Sequence, residues 1–143
     1  MKILLDTMYI LKILKNEEMR EIARLIDQRK IEALTSTINL IETYTILAKK
    51  DKTRAMKDIT RLRASELKVY DVTSSLIEIS GDFRNLYNLP LADSIIAATG
   101  VTKRVPHILT DDAHFNDVKK MIKPIDLKTF EDMLRREGRI GRI

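Results

Sequence analysis

The sequence contains no cysteine and no tryptophan, and only four glycines and three prolines. Without cysteine, disulfide frameworks, thiolate zinc sites and cysteine nucleophiles are excluded together, and a reducing, cytoplasmic setting is the natural expectation. Scarce glycine argues against a phosphate-cradling loop. Gly81, Gly100, Gly138 and Gly141 stand isolated and none follows the first strand-like run, which disfavours a doubly wound nucleotide-binding domain. Long apolar runs are also missing. The N-terminal apolar stretch is broken by Asp6, Lys12 and Lys15, so neither a secretory signal nor the roughly 18-residue apolar span of a membrane helix is expected. Aromatic side chains make up 5% of the chain and are scattered through apolar patterns, which suits a core or an interface better than a base-stacking platform.

What is present fits one domain. With 143 residues, 44% hydrophobic and 33% charged, the chain is long enough to bury a core unaided. The expected division is a single domain over residues 1–137 and a basic, flexible tail over 138–143. Lysine and arginine outnumber aspartate and glutamate by 26 to 21, giving a net charge of +5, which favours a polyanionic partner without specifying one. Basic residues recur at Lys49, Lys50 and Lys52, at Arg61 and Arg63, at Lys119 and Lys120, and at Arg135, Arg136, Arg139 and Arg142. Most such runs are solvated faces.

Short apolar runs at Ile3 to Leu5, Leu67 to Val72 and His107 to Leu109, with a fainter one at Ala33 to Ser36, have the character of buried parallel strands. Ile122 to Ile125 adds a further candidate, with Pro124 tolerable at a sheet edge. Helical periodicity occupies Met8 to Lys15, Glu17 to Arg29, Ile38 to Lys49, Thr53 to Ala64, Ser75 to Leu86, Leu91 to Arg104 and Leu127 to Glu137. This pattern predicts an α/β fold, a three-layer α/β/α domain with a mostly parallel central sheet.

In open parallel sheets the functional crevice lies beyond the carboxyl ends of the strands. Acids stand there. Asp6 follows the first strand, Asp111 and Asp112 follow the run ending at Leu109, and Glu42 and Asp93 lie early in two helices. Each has a structural alternative. Asp6 and Asp111 can cap helices, Glu42 can close a capping pair with Asn39, and Asp93 can complement a helix dipole. Together they point elsewhere, because converging carboxylates repel unless a cation neutralises them or protons are taken up. Oxygen donors with no cysteine and only His107 and His114 available favour Mg2+, or Mn2+, over zinc. Neither histidine belongs to a recognisable metal-binding spacing. His107 reads as a core or edge residue, and His114, beside Asp112, as an outer contact or a surface side chain.

Four segments carry a family resemblance: Leu4-Leu5-Asp6-Thr7, Glu42 in its helix, Leu89-Pro90-Leu91-Ala92-Asp93-Ser94-Ile95-Ile96-Ala97, and Leu109-Thr110-Asp111-Asp112-Ala113-His114-Phe115. In order and spacing they resemble the motifs of the PIN-domain family over most of the chain. The resemblance implies a PIN-like nuclease domain whose four acids are Asp6, Glu42, Asp93 and Asp112, acting in catalysis and metal binding, with Thr110 as a supporting hydroxyl. Asp111 falls at a variable position. Thr7 and Ser94 are further candidates for orienting the carboxylates, although both read first as helix-start residues. Two positions depart from the family pattern: Met8 replaces a common asparagine, and His114 stands where many members carry another aspartate.

The implied activity is hydrolysis of RNA phosphodiesters dependent on Mg2+ or Mn2+. A short chain of this kind is similar to VapC-type toxins, which implies an RNA substrate, a small antitoxin partner and a homodimer. An RNA-processing nuclease that is not a toxin, and a catalytically silent scaffold on the same fold, remain the alternatives.

Overall fold

The computed structural model describes residues 1–15 and 17–141. Among these, five short strands form one sheet: β1 (Lys2–Leu5), β2 (Glu32–Ser36), β3 (Lys68–Tyr70), β4 (His107–Leu109) and β5 (Lys123–Ile125). Seven α-helices accompany them among the described residues: α1 (Thr7–Lys15), α2 (Arg20–Asp27), α3 (Thr37–Ala48), α4 (Lys52–Ala64), α5 (Ile77–Tyr87), α6 (Leu91–Thr102) and α7 (Leu127–Arg136). Two helices therefore lie between β1 and β2, two between β2 and β3, and two between β3 and β4. The expected strand at Leu67 to Val72 is shorter than the apolar run, and the expected helices from Glu17 and Ser75 each begin as a 3-10 turn.

The strand order is β3-β2-β1-β4-β5, and every pair is parallel. Pro124 sits in edge strand β5, opposite Ile108, where its missing N–H removes no ladder bond to a further strand.

Alternation along the strands separates two cores. Ile3, Leu5, Ala33 and Leu109 face the side covered by α1, α2 and α7, where Ile22, Leu25, Phe130 and Leu134 pack. Leu4, Leu34 and Ile108 face the other side, against Phe83 of α5 and Ile96 and Ala97 of α6. Both faces are buried, which is why the strands read as continuous apolar runs. The result is the expected three-layer α/β/α arrangement. Helix α6 lies close on the sheet at Gly100, where an added Cβ would come within 2.5 Å of Ile122 and 2.9 Å of Leu4.

Of the tail expected over 138–143, residues 138–141 are described. Arg139 donates to the carbonyl oxygen of Lys30, and Ile140 packs against the first core, so the chain after α7 folds back onto the domain. Arg142 and Ile143 lie outside the described residues.

The chain runs outward from β1 through β2 to β3, then crosses back to place β4 on the other side of β1. That reversal leaves a crevice between the carboxyl ends of β1 and β4. Asp6 directly follows one strand, and Thr110, Asp111 and Asp112 follow the other.

Candidate metal centre

Asp6 leaves β1 with its backbone N–H donating to Leu109, so the carboxylate is placed by the sheet itself. Its Oδ1 accepts the Thr7 backbone N–H at 2.8 Å and Asn39 Nδ2 at 3.4 Å, and its Oδ2 accepts the Thr110 hydroxyl at 2.6 Å. The Thr110 oxygen in turn accepts the backbone N–H of Asp112 at 3.0 Å. One hydroxyl thus joins the carboxylate after β1 to the acid-bearing turn after β4.

Asn39 is wholly buried and holds the other flank. Its Oδ1 accepts the Ser36 backbone N–H while Ser36 caps α3, so the capping pair is Ser36 with Asn39. The Asn39–Glu42 pair considered from the sequence does not form, because Asn39 occupies the third helical position facing Ser36. Asn39 Nδ2 also donates to Thr7 Oγ1 at 3.1 Å, and that hydroxyl donates to Glu42 Oε1 at 2.8 Å. Thr7 therefore orients a carboxylate as well as starting its helix. The sequence signal for Asn39 was its position three residues after a Ser cap at the end of a strand.

Asp93 projects from the first turn of α6, and His114 from the 3-10 turn Ala113–Val118 that Asp112 caps. His114 Nδ1 lies 2.9 Å from Asp112 Oδ1 and 3.3 Å from Asp93 Oδ2. Asp93, Asp112 and His114 each bring a ligand-capable atom within 4.8 Å of the others. Asp93 is the most enclosed of the three, with 15% of its side chain exposed.

Burial, the neighbouring charge of Asp112 and the charge of Asp6 push the Asp93 carboxyl up to about 6, opposed by His114 and reinforced by Glu42. Asp6 is also raised, mainly by burial and further by Asp112 and Asp111, although the bonds from Thr110 and Thr7 act in the opposite sense. Among the described residues, every lysine or arginine ion pair is made with some other acid; none reaches Asp6, Glu42, Asp93 or Asp112. In a chain of net charge +5, a crevice with four carboxylates and one imidazole lacks cationic compensation. The donor set, mostly carboxylate oxygen, fits a hard divalent cation.

Other expected contributors are bonded elsewhere. Asp111 accepts the Tyr9 hydroxyl at 2.8 Å, and burial with that bond raises the phenol's pKa. Ser94 is buried and donates to the Leu91 carbonyl oxygen, so it serves its own helix turn and orients no carboxylate. His107 begins β4, whereas the acids follow its end; burial and Lys123 push its pKa down. Arg61, Arg135 and Arg139 form ion pairs with acids on or beside their own helices. In the sequence His114 adjoins only Asp112; the fold brings Asp93 to it from a separate element.

The family described as PIN domain matches residues 3–121. No curated protein sequence matches the chain. Among solved structures, it is similar to the VapBC2 assembly of Rickettsia felis bound to a DNA fragment from its promoter, with TM-score 0.71 and 16% identity, covering 88% of this chain and 98% of that one. It is similar to DNA-bound VapBC of Salmonella typhimurium, with TM-score 0.67 and 22% identity over 89% and 98% of the two chains. It is also similar to VapC20 of Mycobacterium tuberculosis, described as a sarcin-ricin loop cleaving toxin, with TM-score 0.65 and 20% identity over 85% and 97%.

Proposed function

The chain belongs to the PIN domain family, and from that premise we propose that it is a divalent-metal-dependent endoribonuclease, the toxin of a type II toxin-antitoxin pair. The observation that carries the nuclease reading is the convergence of Asp6, Glu42, Asp93 and Asp112 on one crevice with no lysine or arginine paired to them among the described residues. The likeness to VapBC assemblies and to a toxin that cleaves the sarcin-ricin loop supports the toxin reading and RNA as substrate.

Asp6, Asp93 and Asp112 would hold Mg2+ or Mn2+ directly or through water. A bound dication offsets charge on the phosphoryl oxygens and acidifies a coordinated water. Glu42, held by Thr7, lies at the flank of the crevice and would orient the attacking water and accept its proton at a carboxylate oxygen. Thr110 fixes the rotation of Asp6 while accepting the backbone N–H of Asp112, so the two carboxylates keep their relative placement as charge develops. No side-chain nucleophile is needed.

A cytoplasmic RNA would be the target; no helix among the described residues is long and apolar enough to cross a membrane. Exposed Met8, Ile41 and Leu91, on α1, α3 and α6, supply apolar surface for a second copy or an antitoxin.

The test compares the chain and its Asp93→Asn variant, purified identically, on a mixed single-stranded RNA with Mg2+, Mn2+ or EDTA. Metal-requiring cleavage that disappears in the variant is expected. Equal cleavage by both preparations would reveal a contaminating nuclease and remove the assignment. Growth arrest on expression, relieved by Asp93→Asn, is the corresponding expectation for a toxin.

A further inference from the structure

A donor set made only of carboxylates leaves one group in the crevice without a role. His114 Nδ1 lies between Asp112 Oδ1 at 2.9 Å and Asp93 Oδ2 at 3.3 Å. This placement is built into the chain. Asp112 Oδ1 also accepts the backbone N–H of His114, closing the start of the 3-10 turn, and the next residue, Phe115, is wholly buried in the second core. The backbone carrying the imidazole is thereby anchored on both sides. The side chain itself is 58% exposed.

We propose that His114 is a nitrogen ligand of the metal centre and that it sets the centre's preference for Mn2+ over Mg2+. The inference rests on the nuclease reading only in placing a dication at Asp93 and Asp112.

Chemistry supports the assignment in three steps. Nδ1 stands where an ion shared by the two carboxylates would be reached by all three side chains. An imidazole whose ring proton is on Nε2 carries an in-plane lone pair on Nδ1 and ligates a cation through that nitrogen. Mg2+ is hard, keeps its waters and gains little from imidazole, whereas Mn2+ and later first-row dications accept mixed nitrogen and oxygen donors. The nitrogen therefore favours the softer ion, while the carboxylates serve both. A merely structural hydrogen bond from His114 would leave the choice between ions unaffected.

The experiment uses the purified metal-free chain without RNA. Mn2+ is titrated by electron paramagnetic resonance, Mg2+ by competition, and the bound Mn2+ is probed for nitrogen by electron spin echo envelope modulation. Asp93→Asn, which should abolish tight Mn2+ binding, ties the signal to this centre. The wild-type spectrum is expected to show directly bound nitrogen. His114→Ala, at an exposed side chain, should lose that nitrogen signature and weaken Mn2+ binding about tenfold while changing Mg2+ binding less than about threefold. His114→Asp should recover affinity for both ions with the Mn2+ preference narrowed. Bound Mn2+ without nitrogen modulation, or an Mn2+ to Mg2+ preference unchanged in His114→Ala, would overturn the ligand assignment and leave the nuclease reading standing. Failure of both ions to bind the wild-type chain would overturn both.

Discussion

Thr110 Oγ1 donates a 2.6 Å hydrogen bond to Asp6 Oδ2, joining two residues 104 positions apart across the seam between β1 and β4. The same oxygen accepts the Asp112 backbone N–H. A single hydroxyl therefore couples the carboxylate on one side of the crevice to the turn that places the acid on the other.

Removing that hydroxyl should separate metal binding from folding. Thr110→Val keeps the shape of a side chain that is only 5% exposed, but leaves Asp6 Oδ2 and the Asp112 N–H without this partner. The expected stability loss is about 1–3 kcal/mol. Divalent-metal affinity should fall about 10-fold or more, as for other partners that orient metal ligands. Thr110→Ser should retain most of both. Calorimetric metal titration beside urea denaturation checks the pair; a metal affinity unchanged in Thr110→Val would remove the coupling role.

Asn39 should prove more important to stability than any single surface acid. It is buried and bonds Ser36, Thr7 and Asp6. Asn39→Ala strands those groups and should cost about 2–4 kcal/mol, combining a lost cap with unsatisfied polar atoms. Asn39→Asp should be at least as damaging, because a second carboxylate replaces the donor facing Asp6. Chemical denaturation would reveal the ordering, and a loss below about 0.5 kcal/mol for Asn39→Ala would refute it.

The metal-free protein should be stabilised by losing a charge. Asp93 is raised from 3.8 to about 6 in the folded chain, so the folded state holds its proton more tightly than the unfolded state. That contribution is fully present below 3.8 and lost as pH rises through about 6. Asp93→Asn should therefore melt about 2–8 °C above the wild type at pH 7 to 8 in EDTA, with the gap closing below about pH 4. Saturating Mn2+ should reverse the order by stabilising only the protein that binds it. A wild type that melts higher in EDTA at pH 8 would contradict the electrostatic account of the crevice.

Gly100 tests how closely α6 must approach β1. An added Cβ would come within 2.5 Å of Ile122 and 2.9 Å of Leu4, both side chains buried in the second core. Alanine gains about 1 kcal/mol in helix propensity over glycine. Overpacking costs about 1–3 kcal/mol, so Gly100→Ala should be neutral to destabilising and Gly100→Val clearly destabilising. A Tm raised by either valine or alanine would show that the layer spacing has slack.

Much of the fold was legible because local chemistry and global packing agree. Runs such as Ile3 to Leu5 and His107 to Leu109 are apolar because both faces of the sheet are covered, and the strand at Lys123–Ile125 accepts Pro124 because it is an edge. Helix starts were less legible. Glu17 and Ser75 lie in 3-10 turns, a distinction that hydrophobic periodicity does not make. At the site, Asp6, Asp93 and Asp112 could be nominated from their places after strands and at a helix start. Neighbouring polar residues were harder to sort. Ser94 and Asp111 adjoin nominated acids in sequence, yet Ser94 bonds its own helix turn and Asp111 turns to Tyr9.

By itself, the sequence determined the strands and helices, the parallel architecture and the family, since periodicity, turn residues and ordered motifs are properties of contiguous segments. Only the tertiary structure decided that Asn39 pairs with Ser36 and reaches Thr7 and Asp6, and that Thr110 spans to Asp6. It likewise placed His114 against Asp93 and Asp112. The Thr110 link depends on β4 returning beside β1, and the reach of Asn39 to Thr7 and Asp6 on β2 lying at β1's other edge. Hydrogen bonds and charge act over a few ångströms of space, whatever the separation along the chain.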